Sequence, residues 1–272
     1  MKFVLTEDII YNAELAPDIY KLIFRSEYIA QNARPGQFVN IKCCEGINTI
    51  LRRPISICDV DEKKNYITII YQKRGKGTEY LSRSRAGDTL NIIGPLGKSF
   101  DMGDQYGNIA VIGGGIGIFP LLFLLKESKS AKKTAFIGFR NKEHSILTDE
   151  FRKYANDLLV STDDGSLGYK GFVTALLEDR ITDEKFDIIY TCGPEIMMNK
   201  VVQTAHQAGV LCQVSLEQRM GCGIGACLAC VCKIKVKAGR ENEKNNDNQG
   251  WNYKRVCKDG PVFWSNEVIF ED

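Results

Sequence analysis

Cys222, Cys227 and Cys230, followed at a distance by Cys257, restrict what this chain can become more than any other residues in it. The run GCGIGACLAC has the spacing C-x4-C-x2-C. That is the plant-type pattern for a [2Fe–2S] cluster, with three thiolates on one loop and a fourth brought in by the fold. A tight loop must wrap the irons and sulfides, and Gly221, Gly223, Gly225 and Ala226 remove the side-chain bulk that would hold the backbone away. Amide N–H groups of such a loop can also point at the sulfurs and help to set the potential. A zinc site is expected to show paired C-x2-C knuckles, and only Cys227–Cys230 has that form. Inert buried thiols do not need glycine at every second position. The pattern points first to a cluster, with zinc and structural thiols as alternatives, and so to a protein that carries electrons.

The 272 residues exceed a typical single core, so two or three domains are expected. A hydrophobic content of 44% and a charged content of 26% are those of an ordinary globular protein. A net charge of +2 gives no case for nucleic-acid or membrane binding. The N-terminal MKFVLTEDII lacks a basic region followed by an apolar stretch, which predicts no export and a cytoplasmic location. In a reducing compartment, ten cysteines indicate metal or redox chemistry rather than disulfides. His144 and His206 are the only histidines, too few for imidazole-based metal sites or triads. Residues 109–125 carry no charge, but Gly113, Gly114, Gly115, Gly117 and Pro120 interrupt any continuous helix. A buried strand, a glycine turn and a helix fit that segment better than a membrane span.

The first hundred residues read as antiparallel β structure. FVNIKCC, YITIIYQ and DTLNIIG are short and partly alternating, with Pro35-Gly36, Gly75-x-Gly77 and Gly94-Pro95 between them. Closely spaced short strands predict a small barrel. From about Gly107 strands alternate with helical stretches. NIAVIGG, KTAFIGF, DLLVSTD and FDIIYTCG are the strands; PLLFLLKESK, HSILTDEFRKYA, GFVTALLED and PEIMMNKVVQTAHQAG are the helices. That alternation predicts a doubly wound parallel sheet. The cluster segment follows, with the polar run 237–252 as an exposed loop inside it. The expected layout is a barrel over 1–102, an α/β domain over 103–210 and a small cluster domain over 211–272.

Three further motifs carry chemistry. Arg53-Pro54-Ile55-Ser56 opens an apolar strand, where an arginine can face a pyrophosphate and a serine hydroxyl can reach a flavin or its phosphate. Gly75-x-Gly77-Thr78 supplies free amides for phosphate oxygens. Taken alone, each is more often an ordinary strand start or turn. The glycines of VIGGGIGIFPLL follow a strand and open a helix, which permits a dinucleotide close to the backbone. Thr191-Cys192-Gly193-Pro194 ends a strand at the edge where open α/β sheets bind ligands. Cys192 is thus placed either to approach a nicotinamide or to serve as a buried structural thiol. Asp163 and Asp164 end DLLVSTDDG, where a carboxylate can accept from adenine-ribose hydroxyls, or simply cap a solvated turn.

In this order, Arg-Pro-x-Ser, Gly-Gly-Gly-x-Gly and Cys-Gly-Pro resemble the ferredoxin–NADP reductase superfamily. With SLEQRMGCGIGACLACVCK and RVCKDGPVF at the end, the chain resembles the electron-transfer subunits of dihydroorotate dehydrogenase B along essentially its whole length. The resemblance implies FAD in the barrel, NAD in the α/β domain and one [2Fe–2S] cluster in the C-terminal domain. It implies FAD contacts at Arg53 to Ser56, at Ile70, Tyr71 and Gln72, and at Gly77 and Thr78. Cluster ligation would fall to Cys222, Cys227, Cys230 and Cys257. Cys232 is left out, since four ligands suffice. NAD would lie against Gly113, Gly114, Gly115, Gly117, Gly193 and Pro194, with Cys192 at the nicotinamide. Asp164 would favour NAD, because NADP-specific relatives tend to carry Ser-Arg at that point.

The implied activity is relay. Nicotinamide exchanges hydride pairs and a cluster exchanges single electrons; a flavin does both, so FAD belongs between them. An FMN-containing catalytic partner would oxidise dihydroorotate for pyrimidine (UMP) biosynthesis, in a heterotetramer with two of each chain. The same module could instead serve a ferredoxin, sulfide or hydrogenase complex. A zinc-bearing interaction protein with a reductase-like fold is the rival of another class. An apolar patch at Phe263 and Trp264 is a candidate docking surface, or else core of the small domain.

Overall fold

β-branched segments near the N-terminus curl into a closed barrel. In chain order the elements are β1 (Val4–Ala16), β2 (Ile19–Arg25), α1 (Glu27–Asn32), β3 (Phe38–Lys42), β4 (Arg53–Asp61), β5 (Tyr66–Gln72), α2 (Lys76–Ser82) and β6 (Thr89–Leu96). The strands close in the order β1-β2-β5-β4-β3-β6, every pair antiparallel. Leu22, Phe24, Val39, Ile41, Ile57, Ile67, Ile69 and Ile92 fill the interior. The computed structural model describes residues 4–44, 49–236 and 250–270, so most of the polar run 237–252 lies outside the described residues.

The second layer alternates as expected: β7 (Asn108–Gly114), α3 (Ile118–Glu127), β8 (Lys132–Phe139), α4 (Thr148–Tyr154), β9 (Asp157–Thr162), β10 (Tyr169–Lys170), α5 (Val173–Asp183), β11 (Ile188–Cys192) and α6 (Glu195–Gln207). Then come β12 (Leu211–Ser215), β13 (Val231–Lys235), β14 (Trp251–Arg255) and β15 (Val262–Trp264). One sheet runs β10-β9-β8-β7-β11-β12-β15. The chain winds outward from β7 through β8 and β9, then returns to the other side of β7 with β11 and β12. The reversal between β7 and β11 opens a crevice at the carboxyl ends of these strands, the place where such sheets take ligands.

α3 joins barrel and sheet. Every residue from Ile118 to Leu125 is buried, with Phe123 in the barrel core and Leu121 and Leu124 beneath the sheet. A helix covered on all sides reads as a continuous apolar run, which accounts for the uncharged stretch 109–125. No helix among the described residues is long and apolar enough to cross a membrane. Pro120 sits in the first turn of α3, where its missing N–H has no intrahelical partner to lose. At the far end Lys126 donates to Asp59 Oδ1 and to the Val60 carbonyl, both at 2.6 Å, tying α3 to β4.

The sheet does not stop at 210. β12 pairs in parallel with β11, and β15, which follows the last cysteine, pairs antiparallel with β12. Between them β13 and β14 form a separate hairpin. The segment before β15 also grips the barrel: Lys98 N donates to the Gly260 carbonyl at 2.6 Å, and a Cβ on Gly97 (φ +80°) would lie 2.5 Å from Pro261 Cδ. Phe263 is buried in the core shared by the sheet and the cluster segment, whereas half-buried Trp264 packs against the separate core that contains α3. Of the two readings of these aromatics, the core is the one observed for Phe263.

Candidate electron-transfer site

The loop 221–228 folds around its own sulfur atoms. The amides of Ile224 and Ala226 donate to Cys222 Sγ at 3.4 and 3.2 Å, and the Cys222 amide donates to Cys227 Sγ at 3.3 Å. Burial disfavours a charged Cys222, but the amides of Ile224, Cys227 and Ala226 outweigh it and bring the thiol down to about 6. Gly223 (φ +70°) and Gly225 (φ +86°) are left-handed, and Leu228 (φ 57°) is forced into the same region. At Gly225 a Cβ would also strike Lys258 at 2.5 Å, so the glycines answer to both conformation and space. Arg255 closes the loop from outside. Its Nη1 donates to the Gly225 carbonyl at 3.0 Å while its Nε donates to Asp259 Oδ2 at 2.9 Å.

The four thiols form two pairs. Cys222 lies against Cys227, and Cys230 against Cys257, whose amide donates to Cys230 Sγ at 3.4 Å. Burial, with Cys230 alongside, pushes the Cys257 thiol up to about 12. Among the described residues no three His, Cys, Asp or Glu side chains converge as a single-ion site. Two pairs, one of them on an amide-lined glycine loop, suit a binuclear cluster, which takes two protein ligands at each iron. Cys230 and Cys257 are buried, Cys222 half-buried and Cys227 exposed, so one pair faces outward. Cys232, two residues past Cys230, does not join them. It donates to the Lys254 carbonyl across the β13–β14 hairpin at 3.5 Å, and burial raises it to about 11. Cys232→Ser is expected to leave iron content and cluster absorption unchanged; loss of iron from that variant would overturn the assignment of four ligands.

In the barrel the ladder between β4 and β5 ends at Ile57↔Ile69. Beyond it, Arg53 to Ser56 pair with β3, and Ile70 to Gln72 pair with β2. The two segments named from sequence therefore face each other across an opening in the barrel wall. Gly77 joins them, since a Cβ there would sit 2.8 Å from Arg53 Nε. Arg53 thus lies over the turn that begins α2, and Gly75 beside it faces open space. Not every named side chain is free for a ligand. Ile55 and Ile70 are buried in the cores. Tyr71 is buried too, donating to Asn12 Oδ1 at 3.2 Å and stacked on Tyr20. Thr78 Oγ1 accepts from the Arg74 and Gly75 amides at 2.9 and 3.3 Å, so this hydroxyl shapes the turn.

The glycine loop and the Cys-Gly-Pro loop interlock at the crevice. A Cβ on Gly117 would lie 2.3 Å from the Cys192 carbonyl oxygen, and one on Gly114 would lie 2.7 Å from Met197 Sδ and 3.1 Å from Pro194 Cδ. Gly113 packs on Ile118, and Gly193 (φ +155°) packs on Gly114 and Met197. Gly115 differs: exposed and left-handed (φ +54°), it has nothing within 4 Å of its Cβ position, so a ligand can approach its backbone there. The 115–117 turn also contacts β5, which brings the crevice to the barrel opening. Cys192 sits between Gly113 and Ser215 in register. Burial pushes its thiol up to about 12, although a hydrogen bond with Ser215 acts the other way. Burial thus favours the neutral thiol, a state suited to packing against a ring.

Comparison with known proteins agrees with this frame. Residues 217–269 match the iron-sulfur cluster binding domain of dihydroorotate dehydrogenase B, and residues 111–203 match the oxidoreductase NAD-binding domain. The chain is 40% identical to the electron transfer subunit of dihydroorotate dehydrogenase B (NAD(+)) from Caldanaerobacter subterraneus subsp. tengcongensis, over 99% of this chain and 100% of that one. It is 40% identical to the subunit of the same name from Clostridium acetobutylicum, over 100% of both. The chain belongs to this family of electron transfer subunits. Among solved structures, a chain of the NADH-dependent reduced ferredoxin-NADP oxidoreductase is 34% identical with a TM-score of 0.80, covering 97% of this chain and 90% of that one. A ferredoxin NADP+ reductase from Neisseria gonorrhoeae, 16% identical with a TM-score of 0.65 over 76% of this chain and 92% of that one, shares the fold.

Within this electron transfer subunit, sequence reasoning missed the residues that fix the cluster loop from outside. Arg255 lies two positions before Cys257 and could have been suspected. Asn40 could not: its Nδ2 donates to the Cys222 carbonyl at 3.2 Å from the far side of the chain.

Proposed function

We propose that this chain relays electrons from an FMN-containing dihydroorotate dehydrogenase catalytic subunit, through one [2Fe–2S] cluster and FAD, to NAD+ in the cytoplasm. Cys222, Cys227, Cys230 and Cys257 would hold the cluster. Arg53 and the 75–78 turn would hold the FAD pyrophosphate, with Pro54 and Ser56 of β4 and the β5 backbone at Ile70 to Gln72 along the opening. Gly113 to Gly117 with Gly193 and Pro194 would hold NAD, and Cys192 would lie against the nicotinamide. FAD thus belongs to residues 1–102, NAD to 103–210 with β12 and β15 added to its sheet, and the cluster to the rest of 211–272. Bound together, these groups supply the exchange between hydride pairs and single electrons. The polypeptide contributes alignment: buried α3 fixes barrel to sheet, and interlocked glycine loops keep the crevice narrow. Adjacency carries the reading, because the crevice turn reaches β5 and the cysteine loop is bonded to β3. The purified chain should be yellow-brown, with FAD and about two irons per chain, and NADH should bleach the flavin. A colourless, iron-free protein from anaerobic purification would overturn the proposal.

A second reading keeps the module and changes its partner, favoured by the 34% identity with the ferredoxin-NADP oxidoreductase chain. Ferredoxin-dependent turnover exceeding dihydroorotate-dependent turnover would select it.

Asp164 bears on nucleotide choice. The Ser166 hydroxyl and amide donate to its Oδ1 at 2.6 and 2.9 Å and hold the carboxyl below the usual carboxylate range. The residue is exposed beyond the carboxyl end of β9. A fixed negative charge there would repel a 2′-phosphate while accepting from ribose hydroxyls. NADH is expected to exceed NADPH in kcat/KM by at least about tenfold, or ~1.4 kcal/mol. Asp164→Ser should narrow that ratio, and equal values in the native protein would refute it.

A further inference from the structure

Asn40 is fully buried in β3, and its partner across the β3–β4 ladder is Pro54. Directly paired residues share a sheet face, so Asn40 lies beside Pro54 and diagonal to Ser56, while its neighbours Val39 and Ile41 point into the barrel core. On that outer face its Nδ2 donates to the carbonyl of Cys222 at 3.2 Å. The loop is shaped to admit it: a Cβ on left-handed Gly223 would lie 2.3 Å from Nδ2. Its Oδ1 is buried without a partner among the described residues. A buried unpaired acceptor costs stability that an apolar side chain would not. An amide here is therefore poor packing, and what it supplies is a grip on the cysteine loop from the strand pair that lines the barrel opening.

We propose that Asn40 is a positioning residue that seats the Cys222 arm of the cluster loop on the flavin-lining strands, and so governs electron exchange between FAD and the cluster. In the NADH-driven direction, the reverse of the proposed relay, each exchange would take one electron from reduced flavin and turn one ferric iron ferrous, with no bond made or broken along the contact. The inference rests on the cofactor assignment above.

Its test compares the FAD- and iron-loaded full chain with Asn40→Leu, which keeps the branched shape and removes the donor, and Asn40→Asp, which turns an acceptor toward the Cys222 carbonyl. Iron and FAD content, the cluster's midpoint potential, its EPR spectrum after reduction, and the rates of flavin and cluster reduction after mixing with NADH are measured separately. Both variants should load fully and reduce flavin at the native rate. Cluster reduction should slow by at least about 5-fold, the scale of one lost hydrogen bond. The midpoint should shift by about 40 mV, the one-electron equivalent of that factor. Native cluster kinetics, potential and EPR spectrum in either loaded variant would overturn the proposal. So would equal slowing of flavin reduction, or loss of iron from both variants with FAD retained, since Asn40 would then be needed for assembly and not for exchange. Absence of iron or FAD from the native chain would count against the cofactor assignment instead.

Discussion

Serine at any one of Cys222, Cys227, Cys230 or Cys257 is expected to abolish the cluster's absorption and EPR signal while FAD stays bound. Each thiol belongs to a pair, so one substitution leaves an iron short of a ligand, and an alcohol is a far weaker donor than a thiolate at neutral pH. Flavin retention follows from placement, because the barrel opening is built by β4, β5 and α2. The variants should not be equal in stability. Cys230 and Cys257 are buried in the core that supports β15, and a hydroxyl left unpaired there costs about 1–3 kcal/mol. Cys227 is exposed and its replacement should leave the thermal transition of the cluster-free protein almost unmoved. Iron and flavin analysis with thermal melts of all four variants checks both statements. Retention of a native cluster by Cys257→Ser would break the pairing of Cys230 with Cys257.

The second large effect is on activity. Alone, the chain should reduce artificial acceptors with NADH and show no dihydroorotate oxidation. With an FMN-containing catalytic subunit, NAD-linked turnover should rise from background to rates typical of enzymes, about 1–1000 per second. The residues singled out from sequence gather at the barrel opening, the crevice and the cysteine loop. On the proposed ligand assignment, access to the cluster would be from the side of exposed Cys227, where Ile224 and Leu228 present apolar surface. Leu228→Asp should therefore lower coupled turnover while leaving NADH-driven reduction of artificial acceptors intact. Dihydroorotate oxidation by the isolated chain would end this division of labour.

Much of this architecture was legible because its signals are local. YITIIYQ is β5, NIAVIGG is β7, and the helix predicted at PEIMMNKVVQTAHQAG is α6 to within a few residues. β1 was harder. It carries Glu7, Asp8 and Glu14, and register shifts at Ile9/Tyr11 and Glu14/Ala16 spoil its alternation. The cysteine spacing marked the glycine-rich loop, because its glycines and thiols fall within one short segment. What supports that loop was invisible for the opposite reason. Asn40 reaches Cys222 across 182 positions, and one asparagine in FVNIK has no periodicity or motif to mark it. The link between the C-terminal segment and the sheet had no local signal: β15 is only three residues long, and its pairing with β12 depends on tertiary context.

That short strand has a consequence for how the chain must be made. A parallel sheet ending at β12 would present an open row of N–H and C=O groups, the kind of edge that recruits strands from other molecules. β15 covers part of that edge, and only residues 258–261 separate it from Cys257. Edge protection therefore depends on a short segment that follows the last cysteine. A polypeptide truncated before its last strand would be left adhesive, so loss of these few residues should send the protein into aggregates.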